Sequence, residues 1–125
     1  MSTRDFGNVC ERAVADWLVK KGYRIAARNF VAYHGELDIV AENDEFIAFV
    51  EVKGRTDGYD RKKYGRPALA VNAEKKKHLI STAGAYLKQH PSEKRKRFDV
   101  AEVYFSEGGD YAAFEIKYYE NAFTR

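Results

Sequence analysis

Glu36, Asp38, Glu51 and Lys53 are the residues whose types and spacing point to chemistry, and all four lie in the stretch GELDIVAENDEFIAFVEVK. Two parts of that stretch alternate as a pleated strand requires. Over residues 36–41, Glu36, Asp38 and Val40 share one side and Leu37, Ile39 and Ala41 the other. Over residues 46–53, Ile47, Phe49, Glu51 and Lys53 share a face, opposite Phe46, Ala48, Val50 and Val52. The polar residues Glu42-Asn43-Asp44-Glu45 between them suit a hairpin of two or four loop residues. With Asn43 and Asp44 as the turn, Glu36 faces Glu51 and Asp38 faces Phe49. Asp38 and Glu51 then become diagonal neighbours, roughly 7–8 Å apart on one face. A loop of three or five residues would put them on opposite faces, so the register decides whether a site exists.

Like charges crowded on one face of a sheet are unfavourable, and a divalent cation is the simplest reason to crowd them. Two carboxylates, a main-chain carbonyl such as that of Val52, and water make a hard oxygen site. That donor set suits Mg²⁺ or Mn²⁺, whereas zinc would recruit histidine or cysteine. Lys53, two residues beyond Glu51, can orient a water or neutralise charge developing on a phosphate. The plainer reading is an exposed hairpin in which Glu51 and Lys53 form a weak surface pair, and spacing alone leaves both readings open.

The elements that must position these groups are legible on either side. Phe6, Val9, Cys10, Ala13, Val14, Trp17 and Leu18 follow the helical period, and Gly22 stops the helix. Glu11 lies at the edge of that apolar stripe, placed either to lean over the sheet or to face solvent. Residues 23–31 read as a strand leading to the hairpin. From Arg55 to Pro67 the period is lost. A second helix is expected over Asn72 to Gln89, with Asn72 as its cap, an apolar stripe of Ala73, Leu79, Ile80, Ala83, Tyr86 and Leu87, and Pro91 closing it. Phe98–Phe105 and Tyr111–Tyr119 read as two further strands around Gly108-Gly109. The order α-β-β-β-α-β-β in 125 residues makes a single α/β domain spanning residues 1–125.

The net charge of +3 hides a polarity: from Lys53 to Arg97 there are 14 Lys or Arg against 4 Asp or Glu. A basic stretch directly after an acidic site is what a phosphate backbone needs, because the carboxylates alone would repel it. Arg55, Arg61, Lys62, Lys63 and Arg66 can hold one strand, with Lys75, Lys76 and Lys77 beside them at the start of the second helix. Lys94, Arg95, Lys96 and Arg97 offer a second contact or a solvated turn. Tyr59 and Tyr64 can stack on unpaired bases or pack the loop down. Without a base-reading motif, these residues favour shape over sequence. His34, His78 and His90 have no zinc spacing. Cys10 reads as a small core residue, and a single cysteine allows no intrachain disulfide, which with no signal peptide or long apolar run points to the cytoplasm and away from membranes. Tyr118, Tyr119 and Phe123 are either an exposed aromatic surface suited to a dimer or a final strand folding back.

Asp38 followed by Glu51-Val52-Lys53 resembles the PD-(D/E)XK nuclease superfamily, with Leu37 where the motif has proline. Over about the first hundred residues the chain is similar to the YraN-like family of small bacterial proteins. The matching pieces are Gly7, Glu11, Ala13, Leu18, Gly22-Tyr23, Asn29, Gly35-Glu36-Leu37-Asp38 and Phe49 to Lys53 with Arg55. They continue through Gly65, Pro67, Val71, Lys75 and Arg97-Phe98-Asp99-Val100. Ala73 and Lys76 stand where relatives carry proline and glutamine.

The resemblance implies a restriction-endonuclease-like three-layer sandwich, with a central mixed sheet of about five strands flanked by helices. It further implies a Holliday-junction-resolvase-like, Mg²⁺- or Mn²⁺-dependent endonuclease selective for branched DNA. Asp38, Glu51 and the Val52 carbonyl would hold the metal, Lys53 would act beside it, Glu36 and Glu11 would assist, and a homodimer would suit symmetric junctions. The alternative is a non-catalytic nucleic-acid-binding protein on the same fold.

Overall fold

The structure is a computed structural model that describes residues 3–33, 35–56, 72–105 and 114–123. His34, Tyr59, Arg61, Lys62, Lys63, Tyr64, Arg66 and the Gly108-Gly109 pair lie outside the described residues.

Helix α1 (Thr3–Lys20) begins before the first residue of its apolar stripe and buries Cys10, Val14 and Leu18. It ends in a Schellman arrangement: Tyr23 N–H donates to the Leu18 carbonyl and Gly22 N–H to the Val19 carbonyl, each at 3.0 Å. That turn needs Gly22 at φ +98°, a conformation that costs glycine little. Strands β1 (Arg24–Ala32), β2 (Gly35–Glu42) and β3 (Phe46–Thr56) follow as an antiparallel meander. Helix α2 (Ala73–Gln89) then crosses over to β4 (Arg95–Phe105), which lies parallel to β3, and β5 (Phe114–Phe123) returns antiparallel. The sheet is mixed, in the order β1-β2-β3-β4-β5. This is the expected α/β sandwich of five strands and two helices, in the expected element order.

The two faces of the sheet carry separate cores. On the α1 side, Cys10, Val14 and Leu18 pack on Ile39, Ala41, Ala48, Val50, Ala101, Val103 and Phe105. On the α2 side, Leu79, Ala83 and Tyr86 pack on Val40, Ile47, Phe49, Phe98 and Val100. Burial pushes the Cys10 thiol up to about 11, with the Glu11 charge adding to the effect, so Cys10 is the inert core residue expected.

Three expectations need correction. The β2–β3 turn is centred on Asp44-Glu45, not on Asn43-Asp44: Asn43 N–H donates to the Phe46 carbonyl at 3.0 Å. Asn43 Oδ1 accepts from the N–H groups of Glu45 (3.0 Å) and Phe46 (2.7 Å), while Glu42 pairs with Ile47. The strict alternation of β2 also breaks, because Leu37 packs with the α2 core whereas Ile39 and Ala41 pack with the α1 core. The last two strands are displaced. β4 starts at Arg95, since Arg95 to Arg97 extend the pairing with Phe46 to Ala48, and β5 runs on to Phe123, which is buried against Phe98 with ring centroids 5.0 Å apart. The aromatic C-terminal segment is therefore the final strand folded back.

Helix α2 is capped as expected: Asn72 Oδ1 accepts from Lys75 N–H at 2.8 Å. Its seat against the β1–β2 turn depends on Gly35. A Cβ there would collide with Thr82 Oγ1 and lie 2.9 Å from the His78 carbonyl oxygen. Gly35→Ala is therefore expected to push the turn off the helix at a cost of about 1–3 kcal/mol. Thermal denaturation reads this as a drop of several degrees; an unchanged midpoint would mean the turn is not seated as described.

Candidate active site

The site lies where the pairing of β2 with β3 stops. Partners run Glu42↔Ile47, Ala41↔Ala48, Val40↔Phe49 and Ile39↔Val50, so continuing the register puts Asp38 directly across from Glu51. The shift of two residues from the expected register preserves parity and turns a diagonal pair into a facing one. Instead of continuing the ladder, the Asp38 carboxylate enters the gap: its Oδ2 accepts the Val52 N–H at 2.8 Å. In an extended strand the N–H and C=O of one residue project to the same side, so the Val52 carbonyl faces the same gap. On β1, Asn29 stands level with Asp38, between the pairs Arg28↔Ile39 and Phe30↔Leu37, and adopts φ +54°. The kink and the side-chain reversal in β2 thus occur at the same level of the sheet.

Glu51 is buried, and two ammonium groups meet one of its oxygens. Lys53 Nζ and Lys75 Nζ each lie 3.5 Å from Glu51 Oε1. Asp38 has the opposite electrostatic setting. Burial, then the charge of Glu51, lift its pKa to about 7, against the stabilising Val52 N–H, with Glu11 and Glu36 adding to the rise. Glu11 reaches over from α1. Its Oε1 is buried without a hydrogen-bond partner among the described residues, with Arg28 NH2 standing off at 3.6 Å. Burial raises its pKa as well, against the pull of Arg28 and Asn29.

Asp38, Glu51 and Lys53 are therefore brought together, while Glu11 and Glu36 reach Asp38 only through their charges. Glu36 is exposed and lines a neighbouring cleft with Lys75 and His78. Among the described residues no three acidic, histidine or cysteine side chains gather closely enough to hold an ion between them. The donors that fit a cation are two carboxylates and a main-chain carbonyl. They are all hard oxygens, and burial first and the Glu51 charge second push the Asp38 carboxyl up to about 7. This set suits Mg²⁺ or Mn²⁺ and lacks the nitrogen or sulfur that zinc prefers.

The basic residues divide. Lys75 belongs to the carboxylate site. Lys76 lies on the opposite flank of α2, its Nζ 5.7 Å from the centre of the Phe123 ring, and Lys77 is exposed. Three consecutive helical residues point about 100° apart, so they do not form one strip. Arg55 lies 3.6 Å from Glu102 Oε2, and Tyr104 donates to Glu102 Oε1 at 2.6 Å. Glu102 and Tyr104 went unnoticed in the sequence. Their signal was the alternation of β4, but only its parallel pairing, Lys53↔Glu102 and Arg55↔Tyr104, sets them beside the site.

Lys94 to Arg97 sit at the hairpin end of the sheet, with Phe46 roughly 17 Å along β3 from Glu51. There Lys94 faces Glu42 at 3.7 Å, Arg95 faces Glu45 at 3.5 Å, Lys96 donates to the Ser92 carbonyl at 2.6 Å, and Arg97 is buried on Asp99. Only Lys94 lies in the turn; Arg95 and Lys96 are exposed at the start of β4, and Arg97 is structural.

An α/β sandwich with a carboxylate pair and two lysines at a break between its second and third strands is the class that this fold and site define. The chain belongs to the uncharacterised protein family UPF0102, whose family model matches residues 10–103 and so spans the site from Glu11 through Glu102. It is 40% identical over 118 residues to a UPF0102 protein of Clostridium acetobutylicum, covering 94% of this chain and 92% of that one. It is 38% identical over 122 residues to one of Symbiobacterium thermophilum, covering 97% and 98%. A UPF0102 protein of Trichlorobacter lovleyi is 41% identical over 119 residues, covering 94% and 88%. This is the YraN-like resemblance read from the sequence. Among the described residues no helix is long and apolar enough to cross a membrane.

Proposed function

We propose that this protein is a Mg²⁺- or Mn²⁺-dependent endonuclease that hydrolyses DNA phosphodiester bonds, selective for branched or junction DNA. The observation that carries the reading is Asp38 leaving the β2–β3 ladder to share a gap with Glu51 and the main chain of Val52. Asp38, Glu51 and the Val52 carbonyl would hold the cation, which supplies Lewis acidity to the scissile phosphate. Lys53 and Lys75, both within 3.5 Å of the same Glu51 oxygen, are placed to bind non-bridging phosphate oxygens and to orient an attacking water. Glu11 assists from the α1 side. Arg55, Lys76 and Lys77, with Arg61, Lys62, Lys63 and Arg66, supply backbone contacts. A homodimer would present two such sites to a symmetric junction.

The two ammonium groups on Glu51 also support the second reading, a nucleic-acid-binding protein whose carboxylates are neutralised from within. Cleavage of linear, flapped and four-way-junction DNA with Mg²⁺ or Mn²⁺ separates the two, with wild type run beside Glu51→Gln. The expected result is cutting of a branched substrate by wild type and a loss of at least about 10²-fold in the variant. DNA binding without cleavage of any substrate would replace the enzyme with the binding protein.

A further inference from the structure

Next to the carboxylate gap the β1–β2 turn and the first turns of α2 enclose a cleft of about 440 Å³, walled by Val31, Tyr33, Glu36, Lys75, His78 and Leu79. We propose that this cleft binds one unpaired nucleotide of the DNA strand lying across Asp38 and Glu51; that placement of the strand rests on the nuclease reading above.

Four observations support the assignment. Val31 and Tyr33 are 67% and 68% exposed, an apolar surface with no use in a stable core, set beside a strongly polar site. Next to Tyr33 the start of β2 is packed closely on α2: Gly35 seats directly against Thr82 and the His78 carbonyl, and the Thr82 hydroxyl donates to that carbonyl at 2.7 Å. The aromatic ring thus stands beside a close contact between β2 and α2. Lys75 is common to both sites, lining the cleft and facing Glu51 at 3.5 Å, so a phosphate held there joins a base in the cleft to a phosphate at the carboxylates.

The lining itself matches the chemistry of a nucleotide. An exposed phenol ring and a valine offer a flat apolar face, His78 a polar edge, Lys75 a cation, and Glu36 an acceptor for a base N–H. The volume is that of a small-ligand pocket. A base inside a duplex is stacked on its neighbours and cannot enter, so the cleft selects strands with unpaired nucleotides next to the cut.

Binding of a labelled oligo-dT and of a blunt duplex of equal length, followed by fluorescence anisotropy with Ca²⁺ in place of Mg²⁺, tests this apart from cleavage. Tyr33→Ala is expected to weaken oligo-dT binding about 5- to 100-fold, the size of one lost base-stacking contact, with duplex binding changed less than about twofold. Tyr33→Phe keeps the ring and should bind as wild type does. Tyr33 is exposed, so the variants should fold, and unchanged melting checks that they have. Equal loss on single strand and duplex, or no loss on single strand, would overturn the assignment. Selective loss in a protein that cuts nothing would uphold the cleft while removing the nuclease reading.

Discussion

Asp99→Ala is expected to lower the melting temperature by more than about 10 °C, the largest stability effect of any single substitution considered for this chain. Asp99 is fully buried and accepts from four groups. Arg97 Nε donates at 2.9 Å to Oδ1, Arg97 NH2 at 2.9 Å to Oδ2, Tyr118 OH at 2.6 Å to Oδ2, and Asn121 N–H at 2.8 Å to Oδ1. Arg97 in turn donates to Tyr23 OH at 2.5 Å and lies over the Phe46 ring at 4.7 Å, while Tyr118 stacks on Trp17 with ring centroids 4.8 Å apart. Burial and the Asp99 charge hold the Tyr118 phenol well above its ordinary pKa.

Alanine at position 99 would leave a buried guanidinium, a hydroxyl and a main-chain N–H without their acceptor. Breaking a buried pair in this way costs about 3–5 kcal/mol, because the surviving charge stays desolvated. The network ties α1, Tyr23 just before β1, β4 and β5 together where the β4–β5 register shifts between Phe98 and Val100. The double replacement Arg97→Met with Asp99→Leu should recover the part of the loss that comes from the stranded guanidinium, while the Tyr118 hydroxyl and the Asn121 N–H stay without their acceptor. Calorimetry of the three variants decides the matter; an Asp99→Ala protein melting within about 3 °C of wild type would show that the network contributes little.

What the sequence conveyed divides along the line between local and long-range causes. Both helices were legible, because the stripe from Phe6 to Leu18, the Gly22 stop and the Asn72 cap are local devices. Parity in the hairpin was legible as well, which placed Asp38 and Glu51 on one side. Their direct opposition was not, because Asn43 folds its own side chain into the turn and moves the turn's centre on to Asp44-Glu45. Nor does anything local to β2 mark the reversal after Leu37, which coincides with a left-handed residue, Asn29, on the neighbouring strand.

Charge patterning failed in an instructive way. Lys75, Lys76 and Lys77 read as one basic patch, yet the docking of α2 sends Lys75 to Glu51 and Lys76 to Phe123. Arg97 read as the end of a charge run, although β4 had already begun at Arg95 and its alternation turned Arg97 towards Asp99. Glu102 and Tyr104 reach the site only through a parallel pairing set by the α2 crossover, which no window of sequence contains.

Raising the pH from 5 to 8 is expected to destabilise the metal-free protein through Asp38, and a divalent cation should reverse this. The folded pKa of about 7 lies above the ordinary carboxylate value of about 3.9. Between those values the unfolded chain has released a proton that the folded chain still holds. The Asp38 contribution to stability is therefore full below about pH 4 and is lost as pH rises through 7. The cause is burial first and the facing charge of Glu51 second, with Glu11 and Glu36 behind it; Lys53 and Lys75 compensate Glu51. A cation bound between the carboxylates would favour the ionised form, so Mg²⁺ or Mn²⁺ should raise the melting temperature more at pH 8 than at pH 5, by mass action on the folded state. Asp38→Asn can still accept the Val52 N–H but carries no charge. It should melt several degrees above wild type at pH 8 without metal, lose the Asp38 component of the decline from pH 5 to 8, and respond little to added cation. Melting curves over pH 5–8 with and without Mn²⁺ give all three readings. A variant that melts below wild type at pH 8, or that gains as much from Mn²⁺, would remove Asp38 from the ligand set and leave Glu51 between its two lysines as a structural ion pair.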